Sequence, residues 1–156
     1  MIMGINSFIP RQRPLAPRHI SFWLALLLFL LALLPRLTAV GRYITPDELN
    51  WVHRSVIFHD ALGQGSWHKT LTTGHPGVIT TWLGAIGIQF QLWLRPSDLA
   101  AYEWISRLAW LAPENTAAFP QLATFLTAGR VVVAVVNSAG LVGSFWLARR
   151  LVGFWP

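Results

Sequence analysis

The sequence predicts an all-α, polytopic integral membrane protein with two transmembrane helices joined by an external loop. Of the 156 residues, 54% are hydrophobic and 12% are charged, which is too apolar for an ordinary soluble domain. Two apolar runs, residues 20–40 and 121–148, are long enough to cross a bilayer. The nine tryptophans suit membrane–water interfaces, where an apolar ring carries an N–H that reaches the polar side.

The charged residues argue against other classes of protein. The formal charge of +6 comes from eleven arginines and one lysine against six acids, and the arginines stand singly or in pairs beside apolar runs. This scattered pattern argues against a nucleic-acid partner and favours contact with membrane lipids. Since the chain has no cysteine, it has neither a disulfide framework nor a thiolate metal site.

The first 19 residues are predicted to form a basic cytoplasmic tail. They contain three arginines and no acid, and positive flanks stay on the cytoplasmic side of a span. As a helix, the run 20–40 would be about 31 Å long, against a hydrocarbon core of about 30 Å. A cleaved signal peptide is the alternative, but the run is longer than a signal core and no clean small-residue cleavage site follows it.

The external loop, residues 41–120, opens with a strong helix-start signal. Thr45 is a favourable N-cap, Pro46 suits the first helical position, and Glu48 at the third position completes a capping box. We expect this helix to run to Leu62 and to end at the glycines that follow. Its apolar residues fall on two sides, which predicts protein contacts on more than one face or a position in the interface.

A second loop helix is predicted from Pro76 to Leu94, followed by a short helix capped by Ser97 that extends to about Ala112. We interpret the first of these as an amphipathic interfacial or re-entrant helix. A third crossing would place the arginine pair at 149–150 outside, against the positive-inside rule. One side of this helix is small and partly polar, which permits close helix contact: Gly77, Thr80, Gly84, Gly87 and Gln91.

The same rule places Arg130 beside the start of the loop. If Arg149 marks the cytoplasmic boundary, a span of about 18 residues reaches back to Val131. Arg130 is therefore expected at the outer edge of the bilayer, level with Asp47.

Asp47 and Glu48 are the candidate catalytic residues. Acids in the first turn of a helix are stabilised by its dipole, so a purely structural role is one interpretation. The other is that one of them is a general base beside the membrane, facing an acceptor hydroxyl. Asp47 and Arg54 are seven residues apart and share a face of the predicted helix, so they can flank one cleft without pairing.

The candidate ligands of a lipid-linked phosphate are cations near the outer membrane surface: Arg36, Arg54, Lys69, His75 and Arg130. A guanidinium fork matches phosphate oxygens, although arginines at this depth also serve as headgroup anchors. His75 precedes Pro76 and fits equally well as an N-cap. The loop histidines have neither an i,i+4 pair nor an HExxH motif, so we predict no metal site through them. An assisting divalent cation is left open.

Four motifs in order carry a resemblance to a known family: R-Y-I-T-P-D-E after the first span, W-x-x-R-S-x-x-F, G-x-W-x-x-T-x-x-x-x-H-P-G-V, and a span with Arg130 that ends in Arg-Arg. Together they resemble the N-terminal part of GT-C superfamily glycosyltransferases. The nearest likeness is to the dolichyl-phosphate-mannose protein mannosyltransferases (glycosyltransferase family 39). Where such enzymes commonly have His-Pro-Pro, this chain has His75-Pro76-Gly77. The resemblance covers about residues 20–153.

The resemblance implies a multi-pass bacterial inner-membrane enzyme with its active loop on the external face. It would transfer a sugar, with inversion, from a polyprenyl-phosphate-linked donor to a lipid, glycan or protein acceptor, and Asp47 would be its catalytic aspartate. An apolar stretch resumes at the end of the chain, so we expect an N-terminal fragment that is inactive alone. Alternatives are a non-catalytic membrane subunit, a lipid-carrier-binding protein or half of a transporter.

Overall fold

The computed structural model describes residues 18–42, 45–71, 77–108 and 117–152. Within these ranges the fold is all-helical: 88% of the residues are in helices and none is in a strand. These ranges contain five α-helices: α1 Arg18–Thr38, α2 Pro46–Gly63, α3 Val78–Leu94, α4 Leu99–Ser106 and α5 Ala118–Val152. Two 3₁₀ turns, Trp67–Thr70 and Pro96–Asp98, precede α3 and α4 respectively.

Two helices, α1 and α5, are long and apolar enough to cross a membrane, as the sequence predicts. The apolar stretches are His19–Thr38, with mean hydropathy 2.2, and Ala118–Leu151, with mean hydropathy 1.9. Only 11% of the most apolar window of each is buried within the chain. Such exposed apolar surface suggests membrane association. Helix α5 extends beyond the predicted 121–148 at both ends.

The buried core lies at one end of α5, outside the pairing of α1 with α5. Helix α2 contributes Leu49, Val52 and Val56, which pack with Leu122 and Phe125 of α5. The core is completed by residues from three helices: Ile88, Tyr102, Ile105, Ala118 and Leu126. The prediction that α2 is held on more than one face is confirmed, because α2 contacts α3, α4 and α5.

Helix α3 lies close to both α2 and α5 through its small-residue face, as predicted. A Cβ atom added at Gly87 would lie 2.8 Å from the carbonyl oxygen of Ala128, and one at Gly84 would lie 2.1 Å from Oγ of Ser55. No larger residue fits these positions without moving a neighbouring helix. The opposite ridge of α3 is exposed: Val78, Trp82, Ile86, Phe90 and Trp93.

The helix after α3 is shorter than predicted and begins later. The sequence predicts Ser97 as its cap, but Pro96–Asp98 forms a 3₁₀ turn and α4 starts at Leu99. The Asp98 carboxylate accepts a hydrogen bond from Nε2 of Gln91 at 2.7 Å, which ties this turn to α3. Helix α4 ends at Ser106, and the predicted end near Ala112 lies outside the described residues.

Candidate functional site

A two-pronged ion pair joins α5 to the start of α2. Arg130 donates from Nε to Oε1 of Glu48 at 2.9 Å and from Nη2 to Oε2 at 2.7 Å. These residues are 82 positions apart, and their side chains keep 19% and 32% of their exposure. Paired, parallel hydrogen bonds of this kind fix both direction and distance. The predicted placement of Arg130 level with the Asp47–Glu48 turn is confirmed within the fold.

Glu48 is held from two sides. The backbone amide of Thr45 donates to Oε2 at 2.9 Å, and the Thr45 hydroxyl donates to the same oxygen at 3.2 Å. This is the carboxylate half of the predicted capping box. The Arg130 hydrogen bonds, helped by those from Thr45, hold the pKa of Glu48 below its usual 4.5, although partial burial opposes them. Glu48 is therefore an anion in the folded chain at neutral pH.

Arg130 also donates hydrogen bonds to the segment between α1 and α2. Its Nη1 donates to the carbonyl oxygens of Val40 and Arg42, the second at 3.3 Å. The final carbonyls of a helix and the turn after it lack helical partners, so the guanidinium satisfies groups that would otherwise need water. One side chain thus ties residues 40 and 42, just after α1, and the first turn of α2 to α5.

Beside this pair lies an open cavity of about 420 Å³, lined by α1 and the residues just after it, and by α2, α3 and α5. Three charged residues are among its lining: Arg36, Glu48 and Arg130. Its other described walls are mainly apolar: Ala39, Val40, Trp51, Val52, Ile88, Phe125, Leu126, Val133 and Ala134, with Gly84 and Gly129 at the helix crossing. Ser55, Thr80 and Asn137 are its uncharged polar lining. An apolar chain ending in an anion would match this mainly apolar lining with two guanidinium groups.

Asp47, the predicted base, differs sharply from its neighbour. Its side chain is exposed and does not number among the described lining residues of the cavity. Within the described ranges it has neither a hydrogen bond nor an ion pair. Glu48 is therefore the acid that contacts Arg130 and lines the cavity. Asp47, in the same helical turn, faces outward.

The predicted phosphate ligands are not all brought together. Arg36 and Arg130 both line the cavity, and Arg36 also donates to the carbonyl of Ala32 one turn earlier. Arg54 lies over the Trp51 ring at 5.0 Å, outside the described cavity lining. Lys69 is exposed in the 3₁₀ turn Trp67–Thr70 and also lies away from that lining. His75 lies outside the described residues.

Two of the loop histidines connect helices by hydrogen bonds. His53, buried in α2, contacts the carbonyl of Leu108 at 3.0 Å. His59 contacts the Tyr102 hydroxyl at 2.7 Å through Nδ1 and Oε1 of Gln89 at 2.8 Å through Nε2. Burial, helped by the charge of Asp60, raises the pKa of Tyr102 to about 12, so its hydroxyl stays protonated at neutral pH. Among the described residues, no three potential metal ligands cluster.

Sequence reasoning did not identify three features of this site. It paired neither Glu48 with Arg130 nor Arg130 with the carbonyls between α1 and α2, and it did not single out Asn137. Spacing offered a signal for the last: Asn137 follows Arg130 by seven residues, two helical turns, and so shares its face of α5. The ion pair joins distant parts of the chain, and only their shared depth in the predicted bilayer indicated it.

Comparisons of the chain with protein-family models, with curated proteins and with solved structures found no match.

Proposed function

We propose that this chain is the N-terminal part of a membrane glycosyltransferase that uses a polyprenyl-phosphate-linked sugar. The observation that supports this best is the cavity beside the Glu48–Arg130 pair, which combines apolar walls with two guanidinium groups. A polyprenyl phosphate has the same division: a hydrocarbon chain and a terminal anion. Arginine is well suited to hold such an anion, since its planar fork matches two phosphate oxygens.

In the proposed reaction, an acceptor hydroxyl or amine attacks the anomeric carbon of the donor sugar. Asp47 takes the proton from the attacking group as the new glycosidic bond forms. The bond between the anomeric carbon and the phosphate oxygen breaks, and the electron pair leaves with the polyprenyl phosphate. Attack opposite the leaving group inverts the configuration at the anomeric carbon. The exposed Asp47 carboxylate suits a base that meets an acceptor arriving from outside.

The two acids have different roles in this proposal. Glu48 positions Arg130 and is not the base, because its two oxygens already accept hydrogen bonds from Arg130 and Thr45. Arg36 is the cavity cation whose charge meets no acid among the described residues. It is therefore the first contact we assign to the donor phosphate. Arg130 would contribute its positive charge to the cavity, while its hydrogen bonds go to Glu48 and to the carbonyls of Val40 and Arg42.

The test compares Asp47→Asn with wild type in the complete protein, reconstituted with a polyprenyl-phosphate sugar and a membrane extract as acceptor. Release of polyprenyl phosphate is measured by mass spectrometry. Asp47→Asn should lower turnover by about 10²–10⁴-fold, the usual contribution of a general base. The matched control is Asp60→Asn, which makes the same change in the same helix beside Gln64 and should leave turnover nearly unchanged.

Glu48→Gln distinguishes the assigned roles from their reverse. It should cost less turnover than Asp47→Asn, because it weakens the position of Arg130 without removing the base. If both variants fold and Glu48→Gln is the more damaged, Glu48 carries the chemistry. Absence of sugar transfer by the wild type across a panel of polyprenyl-phosphate sugars would instead favour a lipid-carrier-binding subunit.

A further inference from the structure

Charge is sharply segregated along the chain. All six acidic residues lie between Asp47 and Glu114, so neither residues 1–46 nor residues 115–156 contain an acid. Both of these flanking segments contain arginines, including Arg18 near the start of α1 and the pair Arg149–Arg150 near the end of α5. Any carboxylate side chain that pairs with an arginine of these segments must therefore come from the middle of the chain, as Glu48 does for Arg130.

The fold brings the start of α1 and the end of α5, each with an arginine, to the same end of the molecule. Helices α1 and α5 pack together, and Arg130 contacts the carbonyls just after the end of α1. From Arg130, α5 runs 19 more residues to Arg149, about 29 Å at 1.5 Å per residue. Helix α1 has 21 residues, or about 31 Å. The start of α1 and the end of α5 thus lie together, opposite the Glu48–Arg130 pair.

At this basic end, cationic and aromatic side chains lie side by side. The Arg149 guanidinium lies over the Trp146 ring at 5.4 Å, and Arg150 is exposed. On α1, Phe22 and Trp23 are 58% and 64% exposed, and His19 is exposed beside them. Aromatic rings next to basic groups at the end of an apolar helix are typical of the headgroup layer of a membrane.

We propose that this basic end binds anionic phospholipid headgroups. A phospholipid offers both partners that the surface needs, since its phosphate meets the arginines and its acyl chains cover the exposed apolar faces of α1 and α5. An acidic protein segment would meet the charge but leave these faces uncovered. The inference rests on membrane placement of both helices and is independent of transferase activity.

The test is native mass spectrometry of the complete protein, titrated with phosphatidylglycerol and with phosphatidylcholine carrying the same acyl chains. Wild type should bind phosphatidylglycerol more tightly. The double variant Arg149→Gln/Arg150→Gln should lose about 5-fold in phosphatidylglycerol affinity for each arginine, while phosphatidylcholine affinity stays the same. Arg149→Lys/Arg150→Lys keeps the charge and should keep most of the preference.

The control is Arg95→Gln/Arg107→Gln, which removes the same charge from the segment that flanks α4. It should leave the lipid preference unchanged, and circular dichroism should show equal helix content in all variants. Equal affinity of the wild type for the two lipids would overturn the proposal and leave the basic end to an acidic protein surface. So would an equal loss in both Gln variants, because the effect would then be one of net charge.

Discussion

Both oxygens of the Glu48 carboxylate accept hydrogen bonds, and this distinguishes Glu48 from its exposed neighbour Asp47. Removing one member of such a part-buried pair leaves the other with an unmet charge. We therefore expect Glu48→Gln and Arg130→Gln each to lower stability by about 1–3 kcal/mol. In a double-mutant cycle followed by thermal unfolding in detergent, the pair should show strong coupling.

The exposed Glu103–Arg107 pair provides the matched control for that cycle. Its charged atoms are 3.5 Å apart, and the side chains of Arg107 and Glu103 are 80% and 55% exposed. Exposed pairs one helical turn apart contribute only about 0.3–0.5 kcal/mol. Coupling for Glu48–Arg130 as small as for this pair would contradict the view that Arg130 ties the segment between α1 and α2 to α5.

The lowered pKa of Glu48 makes stability depend on pH in a defined direction. The pKa of Glu48 in the folded chain lies below its usual value of 4.5. As the pH falls, the unfolded chain therefore takes up a proton before the folded chain does. The stabilisation is complete above the unfolded pKa and is lost as the pH falls through the folded pKa. When thermal unfolding is measured between about pH 7 and about pH 3, the unfolding midpoint of the wild type should fall further than that of Glu48→Gln. Parallel curves would mean that Glu48 contributes no proton linkage.

At the scale of elements, the contact between α3 and α5 depends on glycine. Gly87→Ala would place a methyl group 2.8 Å from the backbone oxygen of Ala128, and a backbone atom cannot move without its helix. We expect a loss of about 1–3 kcal/mol, visible as a lower unfolding midpoint. Gly140→Ala is the control, because nothing lies within 4 Å of its added Cβ and alanine favours the helix. Equal midpoints for the two variants would show that the crossing has room to spare.

An element could be predicted from the sequence where the interactions that fix it lie within one or two helical turns. The start of α2 was predictable because Thr45, Pro46 and Glu48 act within one turn. The small face of α3 was also predictable, since close helix approach needs residues without bulk. The start of α4 was not, because the Asp98 carboxylate bonds with Gln91, which lies on another element. Likewise the spacing of Arg54 from Asp47 permits both to flank one cleft, but Arg54 lies over Trp51, a contact one turn away that competes with any distant partner.

At the scale of the whole molecule, the two-crossing topology makes a clear prediction. Lys69 should lie on the external side of the membrane. Arg13 and Arg149 should lie on the cytoplasmic side, because arginine-rich flanks stay in the cytoplasm. The chain contains no cysteine, so single cysteines can be introduced at these positions without background. In intact cells an impermeant maleimide should label position 69 but neither 13 nor 149. Labelling at 149 without labelling at 69 would exclude this topology.

We expect the length of α5 to make the positions of the loop helices sensitive to membrane thickness. Its 35 residues give about 52 Å of helix, well beyond the roughly 30 Å of a hydrocarbon core. The same continuous helix carries residues of the predicted span toward its C-terminal end and Leu122 and Phe125 of the core near its N-terminal end. A thicker or thinner bilayer changes the tilt of a span to reduce mismatch. A change in the tilt of α5 would therefore also move its core end, and with it the helices that line the cavity.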